Sequence, residues 1–253
     1  MKISQSQLKT YKACKRLYEL KYVEGLEYNR DIEPLKDGLS YHGKLEDIYK
    51  KGYFDFSGDK TDSMAFAYEK YIYPEFEVQS VEQWFEVPIG KHTLIGRVDG
   101  LSKDGLVVEH KTTSADIDEG YLYTLQWDEQ IMCYMIATNT TKMYYTVCKK
   151  PTIRQKKDET DEEFFERCCQ WYAEDTDRKI RVIEVERSKE ELERFKEQLE
   201  KTIDEMERCT LFYNNTGNCN SYGRKCAYAS ICLNYDPKLD YIDFTRKDRG
   251  EKR

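Results

Sequence analysis

Residues 95–113 read IGRVDGLSKDGLVVEHKTT. Two runs rich in apolar and β-branched residues, 95–101 and 106–111, flank the turn sequence Ser-Lys-Asp-Gly, and this pattern predicts a β-hairpin. Each predicted strand carries a carboxylate within or directly after its apolar run, Asp99 on the first and Glu109 on the second. Because a buried carboxylate is costly unless it binds a metal or a partner, the hairpin indicates a functional site.

The loop of this hairpin decides whether the two carboxylates meet. A three-residue loop with Gly105 in the left-handed conformation pairs Ser102 with Leu106. Counting back along both strands then sets Asp99 opposite Glu109, with their Cβ atoms roughly 5 Å apart. A two-residue Asp-Gly turn would shift the register by one residue and place Asp99 on the other face of the sheet. A shared site therefore requires the longer loop or a bulge.

Lys111 follows Glu109 by two residues, so the two side chains share one face of the strand in either register. Two carboxylates with a lysine beside them make a divalent-metal site that suits the hydrolysis of phosphodiester bonds. A Glu-x-Lys pair alone is equally typical of a surface salt bridge. The flanking Gly-Arg-Val-Asp and Leu-Val-Val sequences favour the metal site.

The composition bounds the size of the domain and the class of partner. Of the 253 residues, 39% are hydrophobic and 35% charged, and 21 tyrosines and 10 phenylalanines provide aromatic mass for a core. This length fits one large domain or a domain with an appendage. The net charge of −7 does not by itself indicate nucleic-acid binding, but residues 142–157 contain six basic and no acidic residues. Two interpretations of this basic segment stay open, a track for phosphates and a solvated loop.

The termini and the cysteines indicate the cellular compartment. The opening sequence Met-Lys-Ile-Ser-Gln-Ser lacks the apolar region of a secretory signal, and no apolar run approaches membrane-spanning length. We therefore expect a soluble, cytoplasmic protein without membrane contact. Nine cysteines, an odd number in such a chain, argue against a disulfide framework and favour metal binding or burial.

Hydrophobic periodicity and capping residues place the remaining elements. The predicted helices are 4–23, one following Gly38, 62–76, 118–138, 161–172 and 188–208; the predicted strands are 81–89, 93–101, 106–112, 142–148 and 180–185. Capping boxes are predicted where Gln7 follows Ser4 and where Glu191 follows Ser188, with Thr160 as a further cap. This order predicts an α/β fold with a mixed sheet, helices on both sides and helical or irregular ends.

Three cysteines, Cys219, Cys226 and Cys232, lie close together after the last long helix and need a fourth ligand to form a metal site. Cys14 in the first helix is the best candidate for that ligand, and Cys209 is its rival. Four thiolates suit an iron–sulfur cluster or a tetrahedral zinc ion. Because zinc sites usually have tighter Cys-x2–4-Cys pairs, these spacings favour the cluster. The thiols expected to be plain buried side chains are Cys133, Cys148, Cys168, Cys169 and, if it is no ligand, Cys209.

Taken in order, these motifs resemble the PD-(D/E)XK nuclease superfamily, and more closely its RecB-type branch with an iron–sulfur cluster, which includes the CRISPR spacer-acquisition nuclease and many phage exonucleases. The matching segments are ISQSQL at 3–8 with Cys14, GLSYHGKLE at 38–46, GRVDG at 96–100, EHKT at 109–112, QIMCY at 130–134 and the three late cysteines. The chain departs from the family at Val98, where the proline of the family name would stand. The six-residue spacing between Cys219 and Cys226 also departs from the CRISPR nuclease and suits a phage-type relative.

The resemblance implies a restriction-endonuclease-like core with a mixed five-stranded sheet flanked by helices, in a chain of three regions. Residues 1–78 would form a helical region with the first cluster cysteine and the histidine motif, and residues 79–210 the nuclease core. Residues 211–253 would form a cysteine-rich segment with a basic tail that contacts DNA or is disordered. A cluster held by Cys14 and the late cysteines would join the two ends of the chain.

The resemblance also assigns roles to individual residues. The implied ligands of Mg²⁺ or Mn²⁺ are His42, Asp99, Glu109 and the backbone carbonyl of His110. Lys111 would position the attacking water or stabilise the charge that develops on the phosphate. Gln130 and Tyr134, four residues apart on one helix face, would orient Lys111 or hold the DNA backbone, together with Gln126 one turn earlier.

The implied function is a metal-dependent DNA exonuclease that hydrolyses phosphodiester bonds of single-stranded DNA or DNA ends. It would serve recombination, replication or CRISPR adaptation with a protein partner, in the cytoplasm of a bacterial, archaeal or phage-infected cell. The implied second cofactor is an iron–sulfur cluster, [4Fe-4S] in preference to zinc, held by Cys14, Cys219, Cys226 and Cys232. Two alternatives remain: a non-catalytic nucleic-acid-binding subunit that keeps the fold and cluster, and a zinc-stapled interaction module without nuclease activity.

Overall fold

The computed structural model describes residues 1–29, 33–74, 76, 78–221, 224–233 and 243–247. The chain forms two compact units. The central unit comprises Ile32–Glu86 and Gly96–Lys196, and the terminal unit comprises Met1–Asp31, Val87–Ile95 and Glu197–Arg253. The last six residues of the predicted basic tail lie outside the described residues, and the division of the chain into three regions stays a prediction.

Short strands and helices alternate along the described chain. The strands are β1 (Lys2–Ser4), β2 (Leu26–Tyr28), β3 (Val78–Ile89), β4 (His92–Ser102), β5 (Val107–Thr113), β6 (Lys142–Lys149), β7 (Ile180–Glu186), β8 (Asn220–Ser221), β9 (Arg224–Lys225) and β10 (Phe244–Arg246). The helices are α1 (Gln5–Ala13), α2 (Lys15–Tyr18), α3 (Glu33–Lys51), α4 (Lys60–Tyr71), α5 (Glu119–Thr124), α6 (Glu129–Thr138), α7 (Asp161–Glu174), α8 (Lys189–Arg208) and α9 (Ala229–Leu233).

The five predicted strands, β3 to β7, form a mixed sheet. Strand β5 pairs in parallel with β6 and antiparallel with β4, β6 pairs antiparallel with β7, and β3 also pairs with β4. On one face of β6, Tyr145 and Val147 pack in a core with α6 residues such as Met135. On the other face, Cys148 packs in a second core with residues of α3, α4 and α7, among them Tyr172. The predicted mixed α/β sheet with helices on both sides is therefore confirmed.

The hairpin between β4 and β5 has the predicted three-residue loop. The backbone N–H of Ser102 donates to the carbonyl of Leu106 at 2.8 Å, and Gly105 adopts a left-handed conformation with φ of +79°. A side chain at this φ would be strained, which explains the glycine. Gly100 pairs with Val108, which is the register that directs both carboxylate positions to one site.

The prediction of an unbroken first helix over residues 4–23 is wrong, although its capping box of Ser4 and Gln7 is confirmed. Helix α1 ends at Ala13, and Cys14 is extended, with φ of −161° and ψ of 114°. Helix α2 follows, and then a π-helical turn over Glu19–Val23. The break is stabilised from a distant part of the chain, because amide groups of the late segment hydrogen-bond the end of α1, as described below.

Other helix boundaries also differ from the prediction. The single helix expected over 118–138 divides into α5, a 3-10 turn over Leu125–Trp127, and α6, because Asp128 is extended and caps α6 through the N–H of Gln130 at 2.9 Å. Helix α3 begins at Glu33 rather than after Gly38. Helix α4 ends at Tyr71 instead of Phe76, since the proline at position 74 disfavours helix in the residues before it.

The terminal unit combines α1 with a small apolar core. Strand β1 lies parallel to residues 93–95 of β4, and β2 pairs antiparallel with β10. Leu20, Leu26, Tyr228 and Phe244 form the buried core of this region. Among the residues that the structure describes, none of the helices combines the length and apolar character needed to cross a membrane.

Candidate functional site

Asp99 occupies the centre of the candidate site, on β4 of the central unit. Its Oδ2 accepts a hydrogen bond from the backbone N–H of His110 at 2.8 Å and lies 3.5 Å from Nδ1 of His42 on α3. Burial acts to raise the pKa of Asp99, but the hydrogen bond and charge of His42 outweigh it and hold that pKa well below its usual range. Burial likewise acts to lower the pKa of His42, and Asp99 reverses the shift. The pair therefore favours a charged carboxylate.

Glu109 is the buried carboxylate of the site, with 2% of the residue exposed. Its Oε1 forms an ion pair with the Lys111 ammonium, whereas its Oε2 is buried and has no hydrogen-bond partner among the described residues. Burial and the neighbouring charge of Asp99 raise the pKa of Glu109 to about 7. Because a buried carboxylate oxygen without a partner is costly, this atom has the chemistry of a ligand for a cation.

Lys111 begins a chain of hydrogen bonds that runs through helix α6. Its ammonium donates to Oε1 of Gln130 at 2.9 Å, and Nε2 of Gln130 donates to the Tyr134 hydroxyl at 2.7 Å. That hydroxyl donates to the backbone carbonyl of Arg97 on β4 at 3.2 Å. Burial acts to lower the pKa of Lys111, but Glu109 outweighs it and keeps the ammonium charged. The predicted lysine, glutamine and tyrosine thus lie together with the carboxylates.

The His110 side chain points away from these residues and into the core. Its Nε2 lies 3.0 Å from the Tyr49 hydroxyl, and its Nδ1 lies 2.5 Å from Oγ1 of Thr146. Burial lowers the pKa of His110 to about 3, so the imidazole is neutral, and both of its nitrogens have hydrogen-bond partners in the core. The backbone of His110 faces the site, where its N–H donates to Asp99, and a ligand role of its carbonyl stays a prediction. Tyr49 and Thr146, which hold it in place, carry no sequence signal of this role.

The four predicted cluster cysteines meet in the terminal unit. A cavity of about 310 Å³ is lined by Cys14, Cys219, Cys226 and Cys232, together with apolar side chains such as Leu17. Burial raises the pKa of Cys226 and of Cys232, and the nearby thiols of Cys14 and Cys219 raise both further. The arrangement disfavours thiolates unless a cation binds there.

The break after α1 places Cys14 in this cavity. The backbone N–H of Asn215 donates to the sulfur of Cys14 at 3.4 Å. The side-chain amides of Asn215 and Asn218 donate to the carbonyl of Ala13, at 2.8 and 2.5 Å. These two asparagines satisfy the helix end that Cys14 interrupts. Sequence periodicity does not reveal them, because they lie some two hundred residues further along the chain.

The remaining thiols are separate from the cavity. Cys209, the rival ligand, lies outside the described lining and places its sulfur 3.4 Å from the carbonyl of Leu211. Cys133, Cys148 and Cys168 are buried as predicted, whereas Cys169 and Cys209 are half-buried.

A compact group of possible ligands that the sequence analysis missed lies elsewhere in the terminal unit. Three possible ligand atoms lie within 4.8 Å of one another, one each from His92, Asp204 and Glu207. The ammonium of Lys91 forms ion pairs with both carboxylates at 3.0 Å, and Nε2 of His92 lies 3.0 Å from Asp204. These mutual contacts explain the group as an ion-pair cluster without a metal.

Comparison with known proteins identifies a family. The family model described as the PD-(D/E)XK nuclease superfamily matches residues 2–69 and 56–233. A phage-related exonuclease structure from Haemophilus somnus 129PT is 16% identical, with 66% of this chain and 82% of that chain covered and a TM-score of 0.37. An alkaline exonuclease from Laribacter hongkongensis, LHK-Exo, is 12% identical, with 81% and 88% covered and a TM-score of 0.38. No curated protein sequence matches the chain.

Proposed function

The chain belongs to the PD-(D/E)XK nuclease superfamily, and we propose that it is a divalent-metal-dependent DNA exonuclease that acts on single strands or strand ends. The observation that carries this proposal is the unpartnered, buried Oε2 of Glu109 beside Asp99. A DNA-processing role in recombination, replication or CRISPR adaptation, in a phage or its host, belongs to the same proposal.

The residues of the site fit a hard divalent cation. Nucleases of this superfamily typically use a metal such as Mg²⁺. Asp99, Glu109 and the backbone carbonyl of His110 would supply oxygen ligands, and His42 an imidazole that also suits Mn²⁺. When bound, the metal supplies a polarised phosphate and a water of lowered pKa. The partnerless oxygen of Glu109 supports this assignment, because a cation would remove the cost of burying it.

Lys111 acts on the phosphate side of the reaction. Its ammonium is charged, and it is fixed between Glu109 and Gln130, so one of its protons can point at the attacking water or the phosphate oxygen. Gln130 cannot turn away without losing its bond to the Tyr134 hydroxyl, which is anchored on the carbonyl of Arg97. Gln130 and Tyr134 are therefore positioning residues, and Lys111 is the catalytic cation.

The test is Mn²⁺-dependent digestion of end-labelled linear single-stranded DNA beside a circular strand, with protein purified without oxygen. We expect the wild type to shorten the linear strand and spare the circle, and Lys111→Ala to lose at least about a thousandfold in rate. Lys201→Ala, an exposed lysine on α8, is the matched control and should cut like the wild type.

Two results would contradict the proposal in different ways. Cleavage of the circle at the same rate would identify an endonuclease. A wild type that binds DNA but is as inert as Lys111→Ala would identify a non-catalytic nucleic-acid-binding subunit with a nuclease fold.

We further propose that the cysteine-lined cavity holds an iron–sulfur cluster, [4Fe-4S] rather than zinc. Four thiol side chains, Cys14, Cys219, Cys226 and Cys232, are the complete ligand set of such a cluster, and the remaining lining combines apolar side chains such as Leu17 with several asparagines. Iron and zinc analysis of anaerobically purified protein, with its visible absorption spectrum, separates the two metals. Zinc without iron would contradict the cluster.

A further inference from the structure

Two of the three tryptophans lie on the surface of the central unit. Trp84 on β3 is 75% exposed and Trp127 before α6 is 69% exposed. The third, Trp171, is half-buried and packs against the ammonium of Lys179 at 4.3 Å. Tryptophan carries the largest apolar surface of any side chain and is highly buried on average, so two such exposures call for a ligand.

Trp84 is combined with a cation on the strand that carries Asp99. The guanidinium of Arg97 lies over the Trp84 ring at 5.7 Å and is held by the carboxylate of Glu82 at 2.9 Å. Arg97 and Asp99 are two residues apart on β4, so their side chains leave the same face, with Cα atoms roughly 7 Å apart. The Trp84 ring and the Arg97 guanidinium therefore lie close to the carboxylate of the candidate metal site.

Trp127 directly precedes Asp128, the residue that caps helix α6. It contacts Tyr123, which is 57% exposed, with ring centroids 6.2 Å apart and planes at 72°. The next residue, Asp128, caps α6 through the N–H of Gln130, the residue that holds Lys111. The backbone of this aromatic pair is thus fixed relative to the catalytic lysine.

We propose that Trp84 and Trp127 stack on unpaired bases of the DNA strand that is cut, so that the enzyme requires a single strand next to the scissile phosphate. This inference rests on the proposed nuclease function and assigns its substrate contacts. Stacking on exposed aromatic rings is the main sequence-independent way in which proteins hold unpaired bases. Bases in a duplex are already stacked and paired, so their faces cannot reach these rings.

The cations near Trp84 and in the candidate site favour a nucleic acid over an apolar protein partner. Arg97, over the face of the Trp84 ring, and Lys111, in the candidate site, are cations that phosphates can bind. An exposed aromatic face beside a cation suits a strand in which bases and phosphates alternate.

The test measures equilibrium binding by the Lys111→Ala protein with Mn²⁺, so that the strand is not consumed. The probes are a mixed-sequence single-stranded DNA, the same strand with abasic sites throughout, and the blunt duplex. We expect Trp84→Ala and Trp127→Ala each to weaken binding of the base-bearing strand about tenfold and to leave the abasic strand unchanged. Tyr53→Ala, at an aromatic residue that is 59% exposed in the loop between α3 and α4, is the control and should change neither.

Fluorescence and conservative variants separate stacking from general apolar contact. Single strands should quench tryptophan emission in a Trp171→Phe background, and abasic strands should not. Trp84→Phe and Trp127→Phe should restore tight binding, whereas leucine should not, because only an aromatic face stacks. Alanine variants that bind all three probes like the parent would overturn the proposal, and an effect at only one tryptophan would overturn it for the other.

The inference and the nuclease proposal can fail separately. Wild-type protein that cuts DNA while its binding is independent of both tryptophans loses only the stacking assignment. Base-dependent quenching in a protein that does not cut DNA would contradict only the proposed nuclease function.

Discussion

The carboxylate site of the central unit and the cysteine cavity of the terminal unit are built in opposite ways. In the carboxylate site, hydrogen-bond partners within the protein are present for Asp99, Lys111, Gln130 and Tyr134, whereas Oε2 of Glu109 has none in the described part of the chain. In the cysteine cavity, the elements around the thiols are two-residue strands and a five-residue helix. We infer from this difference that the first site is organised before its ligand arrives, whereas the second would depend on its proposed ligand for order.

The difference has an energetic origin. Strand β5 pairs with β6 at six positions and with β4 at two, and β6 contributes side chains to the cores on both faces of the sheet, so the strand that carries Glu109 and Lys111 is held by its neighbours. No side chain of residues 209–220 is fully buried, and the clustered thiols give each other no stabilising contact, since Cys14 and Cys219 raise the pKa of Cys226. We expect loss of the metal to change the first site locally and loss of the cluster to unfold the second.

The largest expected effect is that of Cys226→Ser. Where a metal site orders a small segment, the binding free energy is also folding free energy, on the order of 10 kcal/mol for zinc fingers. We therefore expect this variant to lose the iron–sulfur absorption and the hydrogen-exchange protection of residues 219–233. Cys209→Ser, at the half-buried thiol outside the cavity, should keep both.

Hydrogen exchange decides the outcome. If residues 219–233 stay protected in Cys226→Ser protein, the cavity is organised without its ligand and the contrast between the two sites disappears. If Cys209→Ser and not Cys14→Ser loses the chromophore, the fourth ligand is Cys209.

The next effect concerns Glu109 in the metal-free protein. A carboxyl group with a raised pKa binds its proton more tightly when folded. Its contribution to stability is therefore complete below the ordinary value of 4.5 and is lost as the pH rises to about 7. The shift corresponds to roughly 3 kcal/mol. Glu109→Gln should remove this loss of stability at high pH, but it also removes the ion pair with Lys111. The net stabilisation of the metal-free protein at pH 8 should therefore be smaller than the full shift, on the order of 2 kcal/mol.

Denaturant unfolding of wild type and variant at pH 5 and pH 8, with and without Mg²⁺, checks this expectation. The wild type should gain stability from Mg²⁺ at pH 8 and Glu109→Gln should not. Glu184→Gln on β7, an exposed strand glutamate, is the control for the substitution itself. If the free energy of unfolding depends on pH equally in wild type and Glu109→Gln, the pKa of Glu109 is not raised by folding.

A smaller effect is expected from the hydrogen-bond chain on α6. Gln130→Leu removes the acceptor of Lys111 and should lower kcat about tenfold with little change in KM, because a hydrogen bond to a charged group contributes roughly 1.5–3 kcal/mol. Tyr134→Phe keeps the contact between Gln130 and Lys111 and should cost less. A larger loss in Tyr134→Phe than in Gln130→Leu would place the tyrosine, not the glutamine, next to the reaction.

The carboxylate site could be predicted from sequence because its geometry is local. The left-handed Gly105 and the length of the loop set the register of β4 and β5, and the period of two then places Glu109 and Lys111 on one face. Gln130 and Tyr134 are named through the resemblance to the nuclease family, and their helical spacing adds only that they share one face. The exposed tryptophans could not be predicted, since periodicity does not distinguish a surface ring from a core ring.

The helix breaks could not be predicted because their causes are not local. The periodicity of residues 4–23 is continuous, and the interruption at Cys14 depends on Asn215 and Asn218, which lie 202 and 205 residues from Ala13. The break at Asp128 is a cap, and an aspartate inside a long helical pattern carries no mark that distinguishes it from an exposed helix residue.

The smallest predicted effect concerns the asparagines that hold Cys14. Asn218→Ala removes a hydrogen bond to the exposed end of α1, which contributes about 1 kcal/mol. If the cysteine cavity depends on its ligand for order, this cost should appear in cluster-free protein as faster hydrogen exchange around Cys14. The effect should nearly vanish when the cluster is bound, because the sulfur of Cys14 is then held by the metal. Thr210→Ala, at an exposed residue outside the cavity lining, is the control. An equal cost with and without the cluster would mean that protein contacts, and not the ligand, order this end of the chain.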